Sequence, residues 1–223
     1  MDKQIILLAK SKKMGHYCTA GIDIATGEWI RIVSEDASIQ HAVCECHMRY
    51  ESGAVPQVLD IINIGCQRHS PNEYQNENYV LNPSCTWEKI GQASIQDVLR
   101  IHPIDKHNAL FYNYNHKVSH EVIQQTESSL RYSLALIDPD NVKILIEPKQ
   151  YNDEKSIKVQ FWYNGSWYKY IRVTDPEFLA RYSSYDYGVY ALSDDVLFVM
   201  SLGDAYSNEN SHYKLVATVL EAY

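Results

Sequence analysis

Short stretches of alternating apolar and polar residues run along this chain, and one of them occurs twice. Residues 27–33 read Gly-Glu-Trp-Ile-Arg-Ile-Val, and residues 168–174 read Tyr-Lys-Tyr-Ile-Arg-Val-Thr. Successive side chains of a β-strand point to opposite faces, so Trp29 and Arg31 share one face, as do Tyr170 and Arg172. We therefore predict two similar strands, each with a buried aliphatic face and an outward face that carries an aromatic ring and an arginine.

The first 82 residues have the pattern of a small β-barrel. Apolar runs bounded by glycine or polar turns predict strands at 4–9, 17–24, 29–33, 58–64 and 79–81. Residues 10–16 are basic, and we interpret them as the loop between the first two strands. Lys10, Lys12, Lys13 and His16 are therefore candidates for contact with a phosphate, and a solvated strand connector is the alternative.

The strand pattern is interrupted and then resumes. Residues 83–88 resemble the start of a helix, and Ser94 followed by Asp97 predicts a capped helix at 94–101. Strands are predicted again at 132–137, 142–147, 157–163, 167–173, 196–202 and 213–220, with Asn164-Gly165 as a hairpin turn. We thus predict a mainly β protein in which two small barrels, 1–82 and 130–223, are joined by a connector with short helices at 83–129.

Composition and charge limit the possible partners. The chain has 223 residues, is 45% hydrophobic and carries a formal net charge of −8. Non-specific binding to duplex nucleic acid depends on Lys and Arg that neutralise phosphates, so nucleic-acid binding would require a local basic patch. No apolar run is long enough for a membrane span, and we expect a cytoplasmic protein without membrane association. The odd number of cysteines, five, favours reduced thiols over a disulfide framework.

No sequence motif predicts catalysis. The chain contains no phosphate-binding Gly-x-x-x-x-Gly-Lys, no Gly-x-Ser-x-Gly, no His-Glu-x-x-His and no dinucleotide fingerprint. Cys44, Cys46, Cys66 and His69 could together form a tetrahedral zinc site, but a single residue separates the first pair, whereas two to four is usual. Separate loop or buried cysteines are the favoured interpretation, and we predict no metal and no cofactor.

Several phrases resemble those of the bacterial and archaeal dual OB-containing domain proteins. They are Ile-Ile-Leu-Leu-Ala-Lys-Ser-Lys-Lys near the start, Cys-Thr-Ala-Gly-Ile-Asp-Ile from residue 18, Gly-Glu-Trp-Ile-Arg from residue 27 and Tyr-Gln-Asn-Glu-Asn from residue 74. Further matches are Ser-Leu-Ala-Leu-Ile-Asp-Pro from residue 133, Val-Thr-Asp-Pro from residue 173, Ser-Leu-Gly from residue 201 and His-Tyr-Lys-Leu-Val-Ala from residue 212. The family pattern has a proline where Ile32 stands here, and residues 100–128 show little similarity. The resemblance implies two OB-like barrels and supplies no catalytic residues.

We therefore expect a non-catalytic module that binds single-stranded nucleic acid or a nucleotide-like ligand. Trp29 and Tyr170 would stack on bases, Arg31 and Arg172 would contact phosphates, and the basic residues 10–16 would guide the strand. The alternative is a protein-interaction or accessory subunit of a mobile-element or phage-defence system, in which both arginines are internal ion-pair partners. An unrecognised nucleic-acid-modifying enzyme is a third possibility.

Overall fold

The computed structural model describes residues 1–149, 154–193, 195–206 and 208–221. The chain divides into two units, Met1–Pro103 and Ile104–Tyr223. Residues 83–103 of the predicted connector belong to the first unit, and residues 104–129 belong to the second. The boundaries 1–82 and 130–223 stay a prediction.

The first unit is a closed barrel. Its strands are β1 (Asp2–Lys13), β2 (His16–Asp23), β3 (Trp29–Val33), β4 (Asp60–His69), β5 (Asn78–Leu81) and β6 (Glu88–Gln92), and its α-helices are α1 (Glu45–Met48) and α2 (Ile95–Ile101). The strands pair in the order β1-β2-β3-β5-β4, and β4 pairs back with β1. β3 and β5 are parallel, and the other neighbours in the barrel are antiparallel. β6 extends the sheet from β4.

Alternate strand positions fill this barrel with aliphatic side chains. Ile5 and Leu7 of β1 pack with Ile30 of β3 and Ile62 of β4, and all four are almost completely buried. Trp87, which precedes β6, joins the same cluster and is only 1% exposed. The alternating pattern that predicted these strands thus separates side chains that face the barrel interior from side chains that face outward.

The second unit repeats this strand order. It contains β7 (Lys117–Ser119), α3 (His120–Gln125), β8 (Leu134–Ile137), β9 (Asp140–Pro148), β10 (Lys155–Tyr163), β11 (Ser166–Val173), α4 (Pro176–Tyr182), β12 (Gly188–Ala191), β13 (Val196–Tyr206) and β14 (Ser211–Glu221). The sheet runs β12-β9-β10-β11-β14-β13-β8, and β7 also pairs with β14. β11 and β14 are parallel, as β3 and β5 are in the first unit.

Two interrupted strands lie at the ends of this second sheet. Ile137 of β8 pairs with Phe198 of β13, and Lys143 of β9 pairs with Ala191 of β12. β8 and β9 follow each other closely in the chain, as β12 and β13 do, and the pairings β8–β13 and β9–β12 between these two segments are both antiparallel. β8–β9 and β12–β13 therefore correspond to β1 and β4 of the first unit. The prediction of a mainly β chain with two OB-like barrels is confirmed.

Several local predictions differ from the structure. Residues 10–16 are not a loop, because β1 continues to Lys13, which pairs with His16, and the turn is only Met14-Gly15. A strand continues as long as its backbone stays in register, so polar residues alone do not end it. Residues 83–88 do not begin a helix and lead into β6 instead, and β6, β7 and β12 were not predicted. The Ser94–Asp97 capping box is confirmed at α2.

Membrane insertion through helices finds no support in the described residues. None of their helices combines the length and the apolarity that a membrane-spanning helix needs.

Candidate functional site

The first copy of the repeated phrase lies in β3, and its arginine is buried. Arg31 is 6% exposed, and its Nε lies 3.1 Å from Oε1 of Glu77. The backbone N–H of Arg31 also donates to the carbonyl oxygen of Glu77, at 2.9 Å. The expected outward position of Arg31 is therefore wrong, because the segment before β5 packs against this strand. Arg31 is an internal ion-pair partner here, as the accessory-subunit hypothesis expected for both arginines.

A network of side-chain amides holds that segment in place. Asn72 Nδ2 and Asn78 Nδ2 both donate to Oε1 of Gln75, at 2.9 and 3.0 Å. The Oδ1 atom of Asn72 accepts from the backbone N–H groups of Tyr74 and Gln75. On the neighbouring strand β2, residues 19–23 are all buried. The β2–β3 surface of the first barrel is thus largely covered.

Trp29, the aromatic residue of this first copy, is half-buried. Its ring meets His102 edge to face, with 5.3 Å between the ring centroids. Its Nε1 atom is buried and has no hydrogen-bond partner within the described residues. Trp29 is therefore neither a core residue, as Trp87 is, nor a fully exposed stacking surface.

Two of the three predicted lysines at the β1–β2 hairpin contact backbone oxygens. Lys10 Nζ donates to the carbonyl of Pro56, and Lys13 Nζ donates to the carbonyl of Gln40, each at 2.7 Å. Both interactions tie the hairpin to the segment between β3 and β4. They give these lysines a structural role whether or not they also meet a ligand.

The third lysine and the histidine of this hairpin lie near its turn. Lys12 Nζ donates to the hydroxyl of Tyr17 at 2.8 Å and lies 4.0 Å from the centroid of that ring. The Tyr17 hydroxyl in turn donates to Oε2 of Glu45, at 3.1 Å. His16 begins β2 and is half-buried.

The second copy of the phrase lies in β11 and is exposed. Between the pairs Phe161–Tyr168 and Val159–Ile171, Lys169 and Tyr170 together lie opposite Gln160, which is a β-bulge. Tyr170 adopts a left-handed conformation at φ +60° and is 52% exposed. The bulge places Lys169 and Tyr170 at the surface in succession, and Arg172 is also exposed.

These residues belong to a larger surface across β9, β10 and β11. Its side chains alternate with the buried residues of each strand. We call it the β9–β11 face and define it by Lys143, Lys158, Gln160, Trp162, Trp167, Lys169, Tyr170 and Arg172.

The aromatic residues of the β9–β11 face occupy two places. Trp162 and Trp167 are directly opposite across the β10–β11 hairpin, with ring centroids 5.6 Å apart in an edge-to-face arrangement. Trp167 is 37% exposed. Tyr170 lies further along β11, where Lys158 Nζ is 5.8 Å from the centroid of its ring. Flat apolar surfaces are therefore accessible at both places.

The cations of this face are largely unpaired. Across residues 1–149, 154–193, 195–206 and 208–221, Lys143, Lys169 and Arg172 have no ion-pair partner, while Lys158 Nζ lies 3.0 Å from Oε2 of Glu147. Its four cations lie beside two carboxylates, Glu147 and Asp140, of which Asp140 is opposite Trp162, so this surface keeps a net charge of +2 (4 − 2) on a chain whose net charge is −8. This is the kind of local basic patch that an acidic protein would need for phosphate binding.

Most of these residues could have been found from the sequence. Lys158, Gln160 and Trp162 alternate with the buried Val159, Phe161 and Tyr163, and the Asn164-Gly165 turn fixes the hairpin register. That register brings Trp162 opposite Trp167. The repeated Ile-Arg phrase occurs only in β3 and β11, so it does not indicate Lys158 and Trp162 on β10, the hairpin partner of β11.

The candidate zinc ligands do not converge. Cys44 and Cys46 form a disulfide, Cys66 is 2% exposed in the barrel core, and His69 Nε2 lies 2.6 Å from the carbonyl of Asn76. Burial raises the pKa of the Cys66 thiol to about 11, which disfavours the thiolate that a metal would need. Within the described residues, no cluster of three or more His, Cys, Asp or Glu side chains could hold a metal ion.

The disulfide also corrects the expectation of reduced thiols. One residue separates Cys44 from Cys46, and the turn that begins α1 brings their Cα atoms to 5.2 Å. Within the described residues, Cys18, Cys66 and Cys85 form no disulfide.

A family model described as the dual OB-containing domain matches residues 3–219. The chain belongs to this family. No curated protein and no solved structure matches it. Because β8–β9 correspond to the first strand of the second OB unit, β10 and β11 are its second and third strands. The outer face of these two strands is where OB-folds generally bind oligonucleotides and oligosaccharides.

Proposed function

We propose that the β9–β11 face binds single-stranded nucleic acid. The observation that carries this proposal is the combination of three cations without an ion-pair partner among the described residues, Lys143, Lys169 and Arg172, with the exposed rings of Trp167 and Tyr170 on the third strand of an OB unit. Cations alone are common on protein surfaces. Cations between accessible aromatic rings match a ligand that alternates phosphates with flat bases.

Each group has a role in this proposal. Trp167 and Tyr170 stack on bases, and Trp162 supports Trp167 from the opposite strand. Arg172, Lys169 and Lys143 neutralise phosphates, while Lys158 positions the ring of Tyr170. Stacking does not discriminate strongly between bases, so we expect little sequence preference.

The test is a titration of the full chain with labelled oligo-dT of about ten nucleotides, within the ~4–16 nucleotides typical of one OB fold. With three free phosphate contacts, the slope of log K against log salt should be about −2, at ~0.7 per contact on single strands. Trp167→Ala should weaken binding by ~1–3 kcal/mol through lost stacking. Arg172→Gln should mainly flatten the salt slope, by about 0.7.

Matched controls separate this face from other surfaces. Tyr114 lies before β7 and is 52% exposed, the same fraction as Tyr170, so Tyr114→Ala should leave the affinity unchanged. Trp29→Ala tests the predicted contribution of the first barrel. Thymidine monophosphate as a competitor tests whether a single nucleotide suffices.

An absence of binding at low salt and high protein concentration would remove the nucleic-acid proposal. The exposed rings of Trp167 and Tyr170 would then be interpreted as anchors for a protein partner, since Trp and Tyr are enriched at the centres of protein interfaces.

A further inference from the structure

The Cys44–Cys46 disulfide lies outside the proposed binding site and has no role in it. Cys44 is the N-cap residue of α1 and is half-buried, whereas Cys46 is exposed to solvent. We propose that this pair is a thiol–disulfide exchange site, which thiol compounds reduce to a dithiol and which disulfide compounds oxidise again.

The size of the closed loop supports a labile bond. A disulfide stabilises a fold mainly by restricting the unfolded chain, and this effect grows with the number of residues in the loop. Here the loop is close to the smallest possible, because only Glu45 separates the two cysteines. The folded state therefore gains little from the bond, and reduction costs the fold little.

The surrounding contacts would survive reduction. The backbone of Val43 pairs with that of Tyr17 through two hydrogen bonds, of 3.0 and 2.8 Å. These bonds fix the segment before α1 on the barrel independently of the sulfur atoms. The exchange site is thus held on a rigid base while its own bond opens.

Access favours this pair over the other cysteines. Exchange requires a thiolate to reach a disulfide sulfur, and the Cys46 sulfur belongs to an exposed residue. Cys66 is buried in the barrel, and Cys18 and Cys85 are half-buried. Exchange should therefore be confined to Cys44 and Cys46.

The reaction balances with two thiols as reductant. A thiolate attacks Sγ of Cys46, the Cys44–Cys46 bond breaks, and Cys44 leaves as a thiolate that takes a proton from water. A second thiolate attacks the sulfur of the bound thiol, which releases Cys46 and a low-molecular-weight disulfide. Two electrons pass from the thiols to the protein, and oxidation reverses both steps.

One neighbouring contact depends on the residue inside this loop. Glu45 accepts from the Tyr17 hydroxyl and also forms an ion pair with Arg49. Lys12 donates to the same hydroxyl. These side-chain contacts involve neither sulfur atom, so they also hold the segment in place when the disulfide opens.

The experiment is equilibration of the full chain in glutathione buffers from fully oxidised to fully reduced, followed by alkylation and peptide mass analysis. We expect Cys44 and Cys46 to change together from protected to labelled within this series and to return on reoxidation. Labelling of both cysteines in every buffer, or protection of both in every buffer, would overturn the proposal.

Two variants test which sulfur is attacked. Cys44→Ser leaves the exposed Cys46, which should form a mixed disulfide with glutathione several times faster than Cys44 does in Cys46→Ser. Equal rates would contradict attack at Cys46. Cys85→Ser is the matched control and should leave the exchange of the pair unchanged. A dithiol reductase is then compared with glutathione as reductant at equal thiol concentration. Faster reduction of the disulfide by the reductase would identify a protein, and not a small thiol, as the exchange partner.

Discussion

At the scale of single residues, the two repeated arginines show how one sequence phrase produces two different roles. Arg31 and Arg172 occupy equivalent positions on the third strand of their units, yet Arg31 is 6% exposed and paired with Glu77, while Arg172 is exposed. The local pattern is the same in both. The difference arises from the segment at 70–77, which follows β4 and packs on Arg31 from 46 positions away.

This difference predicts that substitution of the two arginines changes stability by very different amounts. Arg31→Met leaves the Glu77 carboxylate buried without its partner, and breaking a buried ion pair typically costs about 3–5 kcal/mol. Arg172→Met removes an exposed side chain and should change the free energy of unfolding by no more than about 0.5 kcal/mol. Urea unfolding of both variants measures the contrast. Equal losses would mean that the two arginines share one role, and the double variant Arg31→Met/Glu77→Met should recover most of the Arg31 loss.

At the scale of elements, the β-bulge in β11 links backbone strain to the proposed site. A left-handed conformation costs a residue other than glycine about 1–2 kcal/mol, and Tyr170 adopts one at φ +60°. Strain of this kind is commonly retained where it presents a functional side chain. The alternating pattern of β11 could not show this bulge, since an extra residue shifts the register without changing the composition.

The bulge predicts that a glycine at position 170 increases stability and weakens binding. Tyr170→Gly should relieve the strain and stabilise the protein by up to about 1 kcal/mol, but it should weaken oligonucleotide binding through the lost ring. Tyr170→Ala removes the same ring and keeps the backbone strain, so it should lose affinity without gaining stability. Thermal unfolding together with the titration tests both variants. A Tyr170→Gly protein that binds as the wild type does would disconnect the bulge from the site.

The contact of β7 and α3 with β14 includes two histidines whose rings face each other. The Nδ1 atom of His120 in α3 lies 3.0 Å from Nε2 of His212 in β14, whose Nδ1 lies 2.8 Å from the carbonyl of Gly203. A carbonyl only accepts, so His212 carries its proton on Nδ1 and accepts from His120 through Nε2. A second proton on His212 would face the N–H of His120, and burial lowers the pKa of His212.

The lowered pKa predicts that acid loosens β7 and α3 from β14. Below the unfolded value of 6.5 the unfolded state binds more protons at His212 than the folded state does. Stability therefore falls as the pH decreases through this range, by at most about 1.4 kcal/mol per pH unit. Hydrogen exchange of the β7 amides should be faster at pH ~5 than at pH ~7 after correction for intrinsic rates. His212→Asn should abolish the difference, and an unchanged pH effect in that variant would assign it to another group.

The elements also show what local sequence patterns can and cannot predict. Long strands with one buried face, such as β10, β11 and β14, were predicted because burial imposes alternation on the sequence. Short strands such as β6 and β12 were missed, since they lie at the edges of their sheets and their residues are mostly exposed. The extension of β1 to Lys13 was missed because the polar composition there suggested a loop.

At the scale of the whole molecule, the two units have separate strand systems. Among the described residues, the strands of the first sheet all come from positions 2–92, and those of the second sheet all come from positions 117–221. Each unit has a size at which a single core can support folding. The proposed site uses only residues of β9, β10 and β11, so it depends on one strand system.

This organisation predicts that the second unit alone carries the binding activity. A fragment of residues 104–223 should fold cooperatively and bind oligo-dT with nearly the affinity of the full chain, because all eight residues of the β9–β11 face are retained. A fragment of residues 1–103 should fold but bind weakly, since its β2–β3 surface is covered and Arg31 is paired. Circular dichroism establishes the folding of each fragment before titration. If the second fragment folds but does not bind, whereas the full chain does, then binding also requires the first unit. The hairpin lysines at positions 10, 12 and 13 would then be the first residues to substitute.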